Sequence, residues 1–501
     1  MSSRREFIKN LLLTGAAVSV APAILSGRSL SLVERLPLSY GQADGPWQIL
    51  MPTILDRIKR PSFPNKEFNI TRFGAKSGGT TDCTSAFRSA IAECSRVGGG
   101  RVVVPAGVYL TGAIHLMSNV NLEVREGATI KFSQNPKDYL PAVFSRWEGV
   151  ELYNYSPFIY ALDQHNIAIT GRGTLDGQSN NEAWWPWVGR ANYGWKEGTP
   201  NARADRSALF AMAEKGVPVR ERVFGDGHYL RPQFIQPYRC ENVLIEGVTI
   251  VNSPMWEIHP VLCRNVTVEG VKINSHGPNN DGCDPESCTD VLIKNCHFDT
   301  GDDCIAIKSG RNADGRRLNA PSQNIIVQGC EMKDGHGGVT IGSEISGGVR
   351  MVFAERCQMD SPNLDHAIRV KNNAMRGGLL EHLHFRDIQV GQVAHAVITI
   401  DFNYEEGAKG SFTPVVRDFN VDRVKSGKSK HALDVQGLPG APVMDLRLTN
   451  CTFDNVAEAS IVKNVKNATF ENVKINGKVV DSFAEARRRR ANFTEAFVAQ
   501  A

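Results

Sequence analysis

A short pattern, a usually polar first residue followed by apolar–x–apolar–x–x–apolar, recurs along the chain. It reads NVLIEGV from Asn242, NVTVEGV from Asn265, DVLIKNC from Asp290 and NIIVQGC from Asn324. It returns as MVFAERC from Met351, HLHFRDI from His382, DFNVDRV from Asp418, DLRLTNC from Asp445 and NATFENV from Asn467. An earlier copy starts at Asn166, and the copies from Asn242 onward begin 22 to 36 residues apart. Apolar residues alternating with polar ones mark half-buried strands, and Gly, Asn, Asp and Ser separate the copies. No helical periodicity lies between them. Repeats of this size built only from short strands predict a parallel β-helix, an all-β solenoid in which each coil buries its inner face against its neighbours. Propeller blades need four hairpin-linked strands in each unit of roughly 40 residues, and that signature is missing.

A solenoid also accommodates 501 residues without several separate cores. The net charge of +4 is too small to indicate nucleic acid or an anionic membrane as partner. The run Arg487–Arg490 reads as a solvated helix face or tail beyond the repeats, within a C-terminal tail at 481–501. At the other end, residues 1–25 carry a basic start, a short apolar stretch from Leu11 to Val20 and small residues at Ala21–Ala23. That layout predicts an export signal, and Arg4–Arg5 gives it a twin-arginine character. The expected location is therefore periplasmic or secreted, with no membrane association once the signal is removed. Oligomeric state is not legible. Eleven cysteines in an exported chain would suggest disulfides. Cys296, Cys330, Cys357 and Cys451, however, share the last position of the repeat and read as small apolar residues stacked in a core.

Before the coils, Asp82–Gly100 reads as an amphipathic helix with an Asp/Thr start and a glycine stop, suited to cap the first coil. The β-helix is expected over 66–480, with an insertion at 178–238. That insertion contains Trp184, Trp185, Trp187 and Trp195, as loop anchors or sugar-stacking platforms.

Two acidic clusters, Asp281/Asp284 and Asp302/Asp303, stand among apolar strand sequence. Matching Ile305/Ile307 with Val339/Ile341 and Ile368/Val370 places Asp302 beside His336 one coil on. Asp281 falls near Asp303 one coil earlier, and Arg369 and Lys371 point outward. Coils about 4.8 Å apart thus gather Asp281, Asp302, Asp303, His336, Arg369 and Lys371 on one outer face. Crowded carboxylates force one of them towards its protonated form, which acid–base hydrolysis of a glycosidic bond requires. Two nearby cations suit an acidic sugar. Asp284 reads as a turn carboxylate. Glu257 and His259 alternate outward, where they either contact sugar or simply face solvent.

The ordered strings NNDGCD, GDDCIAI, GHGGVTIG and RVK resemble the four signature motifs of polygalacturonases, glycoside hydrolase family 28. The resemblance spans about 66–480 and includes FNITRFGAKSGGTTDCTSAF and SPMWEIHP. Asn280 stands where the family usually has Thr, and Val370 where Ile is usual. The resemblance implies a right-handed parallel β-helix and metal-free, inverting hydrolysis of α-1,4-linked galacturonate, with no cofactor. Asp302 would be the general acid, while Asp281 with Asp303 would hold and deprotonate water. His336 would support protonation of the acid, and Arg369 and Lys371 would bind a galacturonate carboxylate. The string SRWEGVELYNYSPFIYA looks like bacterial exo-acting members, with the insertion walling off one end of the groove. Rhamnogalacturonan or xylogalacturonan hydrolysis, a calcium-dependent pectate lyase on the same architecture and a non-catalytic β-helix scaffold are the alternatives.

Overall fold

The computed structural model describes residues 45–488. The chain divides into two units, Met1–Leu50 and Met51–Ala501. The described part of the first is a helical turn at Pro46–Leu50, and the second is a parallel β-helix. The expected export signal and the end of the arginine run lie outside the described residues. No described helix is long and apolar enough to cross a membrane.

Every copy of the repeat falls in one face of the solenoid, a 13-stranded sheet running from Glu67–Asn69 to Val465–Glu471. The register is the one the pattern dictates. The second residue of each copy pairs in sequence, Val243, Val266, Val291, Ile325, Val352, Leu383, Phe419, Leu446 and Ala468. The last residue of each copy lies in the core, so Cys296, Cys330, Cys357 and Cys451 share a buried column with Val248, Val271 and Val473. All eleven cysteines are free and buried.

The polar first residue has a backbone cause. Asn242, Asn265, Asp290, Asn324, Asp418, Asp445 and Asn467 all sit at φ between 51° and 60°. Asn and Asp reach this left-handed region at the least cost after Gly, because a short polar side chain bonds locally. Their side chains also stack. The amide of Asn242 donates to Asn166 at 2.9 Å, Asn265 to Asn242 at 2.6 Å, and Asn324 to Asp290 at 3.0 Å. Asn265 further exchanges bonds with the backbone of Lys59, at 2.9 and 2.7 Å, tying an N-terminal strap across the coils.

A helix, α1 (Thr84–Arg96), covers the first coils with Phe87, Ala90, Ile91 and Cys94 buried. Asp82 opens it by accepting from the backbone N–H of Thr84 at 2.9 Å. At the far end, where a tail was expected from 481, Phe483–Arg488 is helical. Phe483 packs edge-on to Phe470, which covers the last coil.

A second 13-stranded sheet forms another face, and a third face, with a six-stranded sheet, carries the functional cluster. Its strands β1 (Ile305–Ile307), β2 (Gly335–Ile341), β3 (Leu364–Lys371) and β4 (Ala396–Asp401) pair in parallel. Upstream of β1 the ladder thins to single bridges, Ile235–Ile258, Ile258–Cys283 and Cys283–Ile305. Pro254, Pro260, Pro278 and Pro285 interrupt the chain here, and proline has no N–H to donate to a ladder. The insertion occupies the same side. It contains the helix α2 (Arg203–Glu214), and its last residues, Ile235–Tyr238, are already a coil strand paired with Ile159–Leu162.

Asn265→Ala is expected to lower the unfolding free energy by about 2 kcal/mol or more, from lost hydrogen bonds and left-handed strain. Asn265→Gly should cost less, because Gly keeps the φ. Denaturant midpoints of the two variants check the ranking, and an alanine variant as stable as the glycine one contradicts it.

Candidate active site

The six residues to which the motifs pointed form one cluster: Asp281, Asp302 and Lys371 line a small polar cleft of about 80 Å³, and His336, Asp303 and Arg369 are joined to them by ion pairs. Asp281 pairs in register with Asp303 across the break in the ladder, and Asp302 with His336. Carboxylate oxygens of Asp281, Asp302 and Asp303 all lie within 4.8 Å of one another. The diagonal offset between Asp281 and Asp302 therefore does not open the gap of about 6.5–9.5 Å seen in most inverting pairs.

Each carboxylate has its own partners. Asp303 is fully buried and accepts from Lys371 Nζ at 2.5 Å, Thr340 Oγ1 at 3.0 Å and Arg369 Nη1 at 3.4 Å. Burial pushes its carboxyl up, but Lys371 and Arg369 outweigh this and hold it well below the usual carboxylate range. Asp302 is the member that opens to the cleft, its side chain 18% exposed. It accepts from Asp303 N at 3.0 Å and from His336 Nδ1 at 3.0 Å. Burial raises it as well, yet the His336 hydrogen bond brings it below its ordinary value. The same bond raises His336 to about 9, so the imidazole is a cation. Asp281 goes the other way: burial first, then the neighbouring Asp302 charge, push it up to about 8.

This corrects the role expected of His336. An imidazolium donating to a carboxylate favours the anion, so His336 does not keep Asp302 protonated. The carboxyl pushed towards its protonated form is instead Asp281, one coil away.

The cation missing from the sequence reading is Lys308. Buried, it lies 3.4 Å from Asp281, 3.6 Å from Asp284 and 3.4 Å from Glu344. Its ammonium stands 4.2 Å from the Trp256 ring centroid. Burial lowers an ammonium, but the surrounding carboxylates keep Lys308 well above its ordinary value. A signal for it was present. β1 pairs Ile307 with Ile341 and β2 pairs Ile341 with Val370, so Lys308, Gly342 and Lys371 form one column. The alternation that turns Lys371 outward turns Lys308 outward too. Gly342 has to be glycine, because at φ 110° a Cβ would stand 2.2 Å from the Lys371 carbonyl oxygen.

Other expectations change. Asp284 is no turn carboxylate but a wholly buried group beside Lys308, pushed well above its usual range by burial. Glu257 and His259 alternate outward about the core residue Ile258, but they do not face solvent, because packing outside the coil buries both side chains fully. His259 accepts from Gln236 at 3.0 Å on Nδ1, which leaves Nε2–H to donate to Glu286 at 2.8 Å. Of the insertion's tryptophans, Trp184 and Trp187 pack against each other and against Tyr139, Phe158 and Tyr229. Trp185 donates to Ser253 O at 2.8 Å and Trp195 to Thr199 O at 3.0 Å. The tryptophan lining the cleft is Trp256, within SPMWEIHP.

Connections outside the coils complete the cleft with Glu148, Arg206, Glu344, Tyr404 and Glu405. Arg376 reaches Glu405 at 2.7 Å, and Asn373 reaches Glu406 at 2.8 Å, holding the Tyr404 loop in place. Nothing in the repeat pattern marks these residues, because they lie in turns, loops and the helix α2, whose courses the strands do not determine.

A parallel β-helix with an acid–base carboxylate cluster in an outer cleft defines the class of protein. Residues 225–476, which hold the whole cluster, match the model for glycosyl hydrolases family 28. A crystal structure of a hyperthermoactive exopolygalacturonase from Thermotoga maritima is 48% identical, with a TM-score of 0.84, over 86% of this chain and 96% of that one. An exo-poly-alpha-D-galacturonosidase of Dickeya chrysanthemi is 28% identical over 466 residues, 83% of this chain and 75% of that protein. A probable polygalacturonase of Vitis vinifera is 28% identical over 411 residues, 79% of this chain and 75% of that one. The chain belongs to glycoside hydrolase family 28.

Lys308→Met is expected to cost about 3–5 kcal/mol at neutral pH, because it leaves buried carboxylates without their cation. The carboxyl that responds is Glu344, which despite its burial Lys308 holds well below its ordinary value and which rises once that cation is gone. A depressed carboxyl contributes stability at high pH and loses it as pH falls, so the variant lacks that contribution at high pH and the deficit shrinks on acidification. Urea midpoints at about pH 5 and pH 8 check this, and an equal deficit at both contradicts it.

Proposed function

We propose that the protein is an exo-acting polygalacturonase, a hydrolase of α-1,4-galacturonosyl linkages in pectic galacturonan. One observation carries the reading: the carboxylate cluster of Asp281, Asp302 and Asp303 lies in a cleft bordered by Glu148, Arg206 and Glu405, all from outside the coils. A polymer cut internally needs an open groove, whereas this cleft suits a chain end. The names of the Thermotoga and Dickeya relatives support the same activity.

Asp302, the carboxyl that opens to the cleft, is the general acid. Asp281 and Asp303 hold the attacking water and take its proton. Hydrolysis needs one proton across Asp281 and Asp302, on the acid at the moment of bond cleavage. The pair carries one proton near neutral pH, with the resting position on Asp281. A glycosidic oxygen seated against Asp302 draws it across through the bound water, and the two groups titrate as a pair. Lys371 and Arg369 keep Asp303 ionised. Lys371, with donors to spare beyond Asp303, also receives the substrate carboxylate. Lys308, Lys371 and Arg369 supply the positive charge that calcium would supply in a lyase. Export through the segment at 1–25 follows from the same reading, since polymeric pectin lies outside the cell.

Polygalacturonate incubated with the protein and a chelator should yield reducing ends, with monomer or dimer as the early products. Complete inhibition by the chelator, or an unsaturated ultraviolet-absorbing product, would favour the lyase. An early ladder of oligomers would mean an open groove. Proton NMR of the first product should show the β-anomer, and an α-anomer would overturn the inverting mechanism.

A further inference from the structure

The string SRWEGVEL forms a hairpin, Val143–Trp147 against Val150–Asn154, whose tip is Glu148–Gly149. Both tip residues lie in the left-handed region, at φ 41° and 81°. A two-residue turn of this kind ordinarily takes Asn or Asp followed by Gly. Glutamate at a positive φ is costly, and such strain persists where the surroundings hold the residue for a purpose. The surroundings here do hold it. Arg311 N donates to Gly149 O at 3.0 Å, and a Cβ on Gly149 would stand 2.6 Å from Arg311 N.

Glu148 is about nine-tenths buried and lines the cleft together with Asp281 and Asp302. Its Oε2 receives both Nε and Nη2 of Arg206 at 2.8 Å, from α2 of the insertion. Its Oε1 accepts no hydrogen bond among the described residues. The carboxylate is thus fixed by one oxygen and presents the other.

We propose that Glu148 reads the chain end, its Oε1 accepting a hydrogen bond from the free 4-hydroxyl of the non-reducing terminal galacturonate. This rests on the exo-hydrolase reading and deepens it. In every internal residue O4 belongs to a glycosidic bond and has no hydrogen to donate. An internal residue at this point would leave Oε1 of a nearly buried carboxylate without a donor and facing oxygen lone pairs. A site built for a hydroxyl rejects an analogue lacking it far more strongly than a shape-fitting site rejects a missing methylene. Chains begun by eliminative cleavage end in a 4,5-unsaturated residue that also lacks the 4-hydroxyl. The enzyme therefore consumes the products of hydrolytic depolymerisation and not those of a lyase.

The test compares kcat/KM on oligogalacturonates of equal length that are saturated, 4,5-unsaturated at the non-reducing end, or borohydride-reduced at the other end. The wild-type protein should discriminate against the unsaturated chain by about 100-fold or more, and should accept the reduced chain nearly as well as the saturated one. Glu148→Ala should lose most of its rate on saturated chains and little on unsaturated ones, so that the ratio approaches one. Glu148→Gln, which keeps the size and one acceptor oxygen, should fall between. If Glu148 only braced Arg206, both substrates would suffer alike. Equal wild-type rates on saturated and unsaturated chains, or a ratio preserved in Glu148→Ala, would overturn the inference while early monomer release left the exo reading standing. A ladder of products from the wild-type protein would overturn both.

Discussion

Parallel stacking in strict register is the constraint on which this molecule depends. Each coil places its residues one strand spacing, about 4.8 Å, from their counterparts in the next. The fold uses that rule to stack Val on Val and Asn on Asn. On the third face it brings Asp281 opposite Asp303 and Asp302 opposite His336. Three carboxylates at such separations cannot all be ionised cheaply, so the geometry that builds the core also sets the charge state of the site.

The cations decide which carboxyl gives way. Lys371 and Arg369 hold Asp303 as an anion, and His336 does the same for Asp302. Lys308 is shared among Asp281, Asp284 and Glu344. Asp281 therefore has no cation of its own to offset its burial, which pushes it up to about 8. The arrangement costs stability, because buried charges are expensive even when paired. The gain is a rigid cluster whose protonation is poised near neutral pH, the property an acid–base hydrolase needs.

The periodic features were legible in the sequence. Copies such as NVLIEGV and DVLIKNC carry alternation, left-handed Asn or Asp and a buried final residue, and those three facts determine face, register and core. Register in turn brought Asp302 to His336 without any structure. What alternation could not reach were the interruptions. Glu257 and His259 alternate outward as read, yet are buried by packing that the repeat does not encode, with His259 against Gln236 and Glu286. Asp284 lies buried beside Lys308, whose column the alternation also marks. Glu148, Arg206 and Tyr404 come from a hairpin, an insertion and a loop, whose paths depend on packing and not on period. The direction of His336's influence was also out of reach, since it depends on a 3.0 Å contact that spacing alone does not give.

The shared proton of Asp281 and Asp302 is most directly tested by the pH dependence of kcat/KM on a saturated oligogalacturonate, which reports groups of the free enzyme. With Asp281 raised to about 8, the rate constant should hold through neutral pH. Above that value it should fall about tenfold per pH unit as the pair loses its proton. A basic limb in the ordinary aspartate range, near pH 4, would mean that neither carboxyl retains a proton at neutral pH and would contradict the shared-proton mechanism.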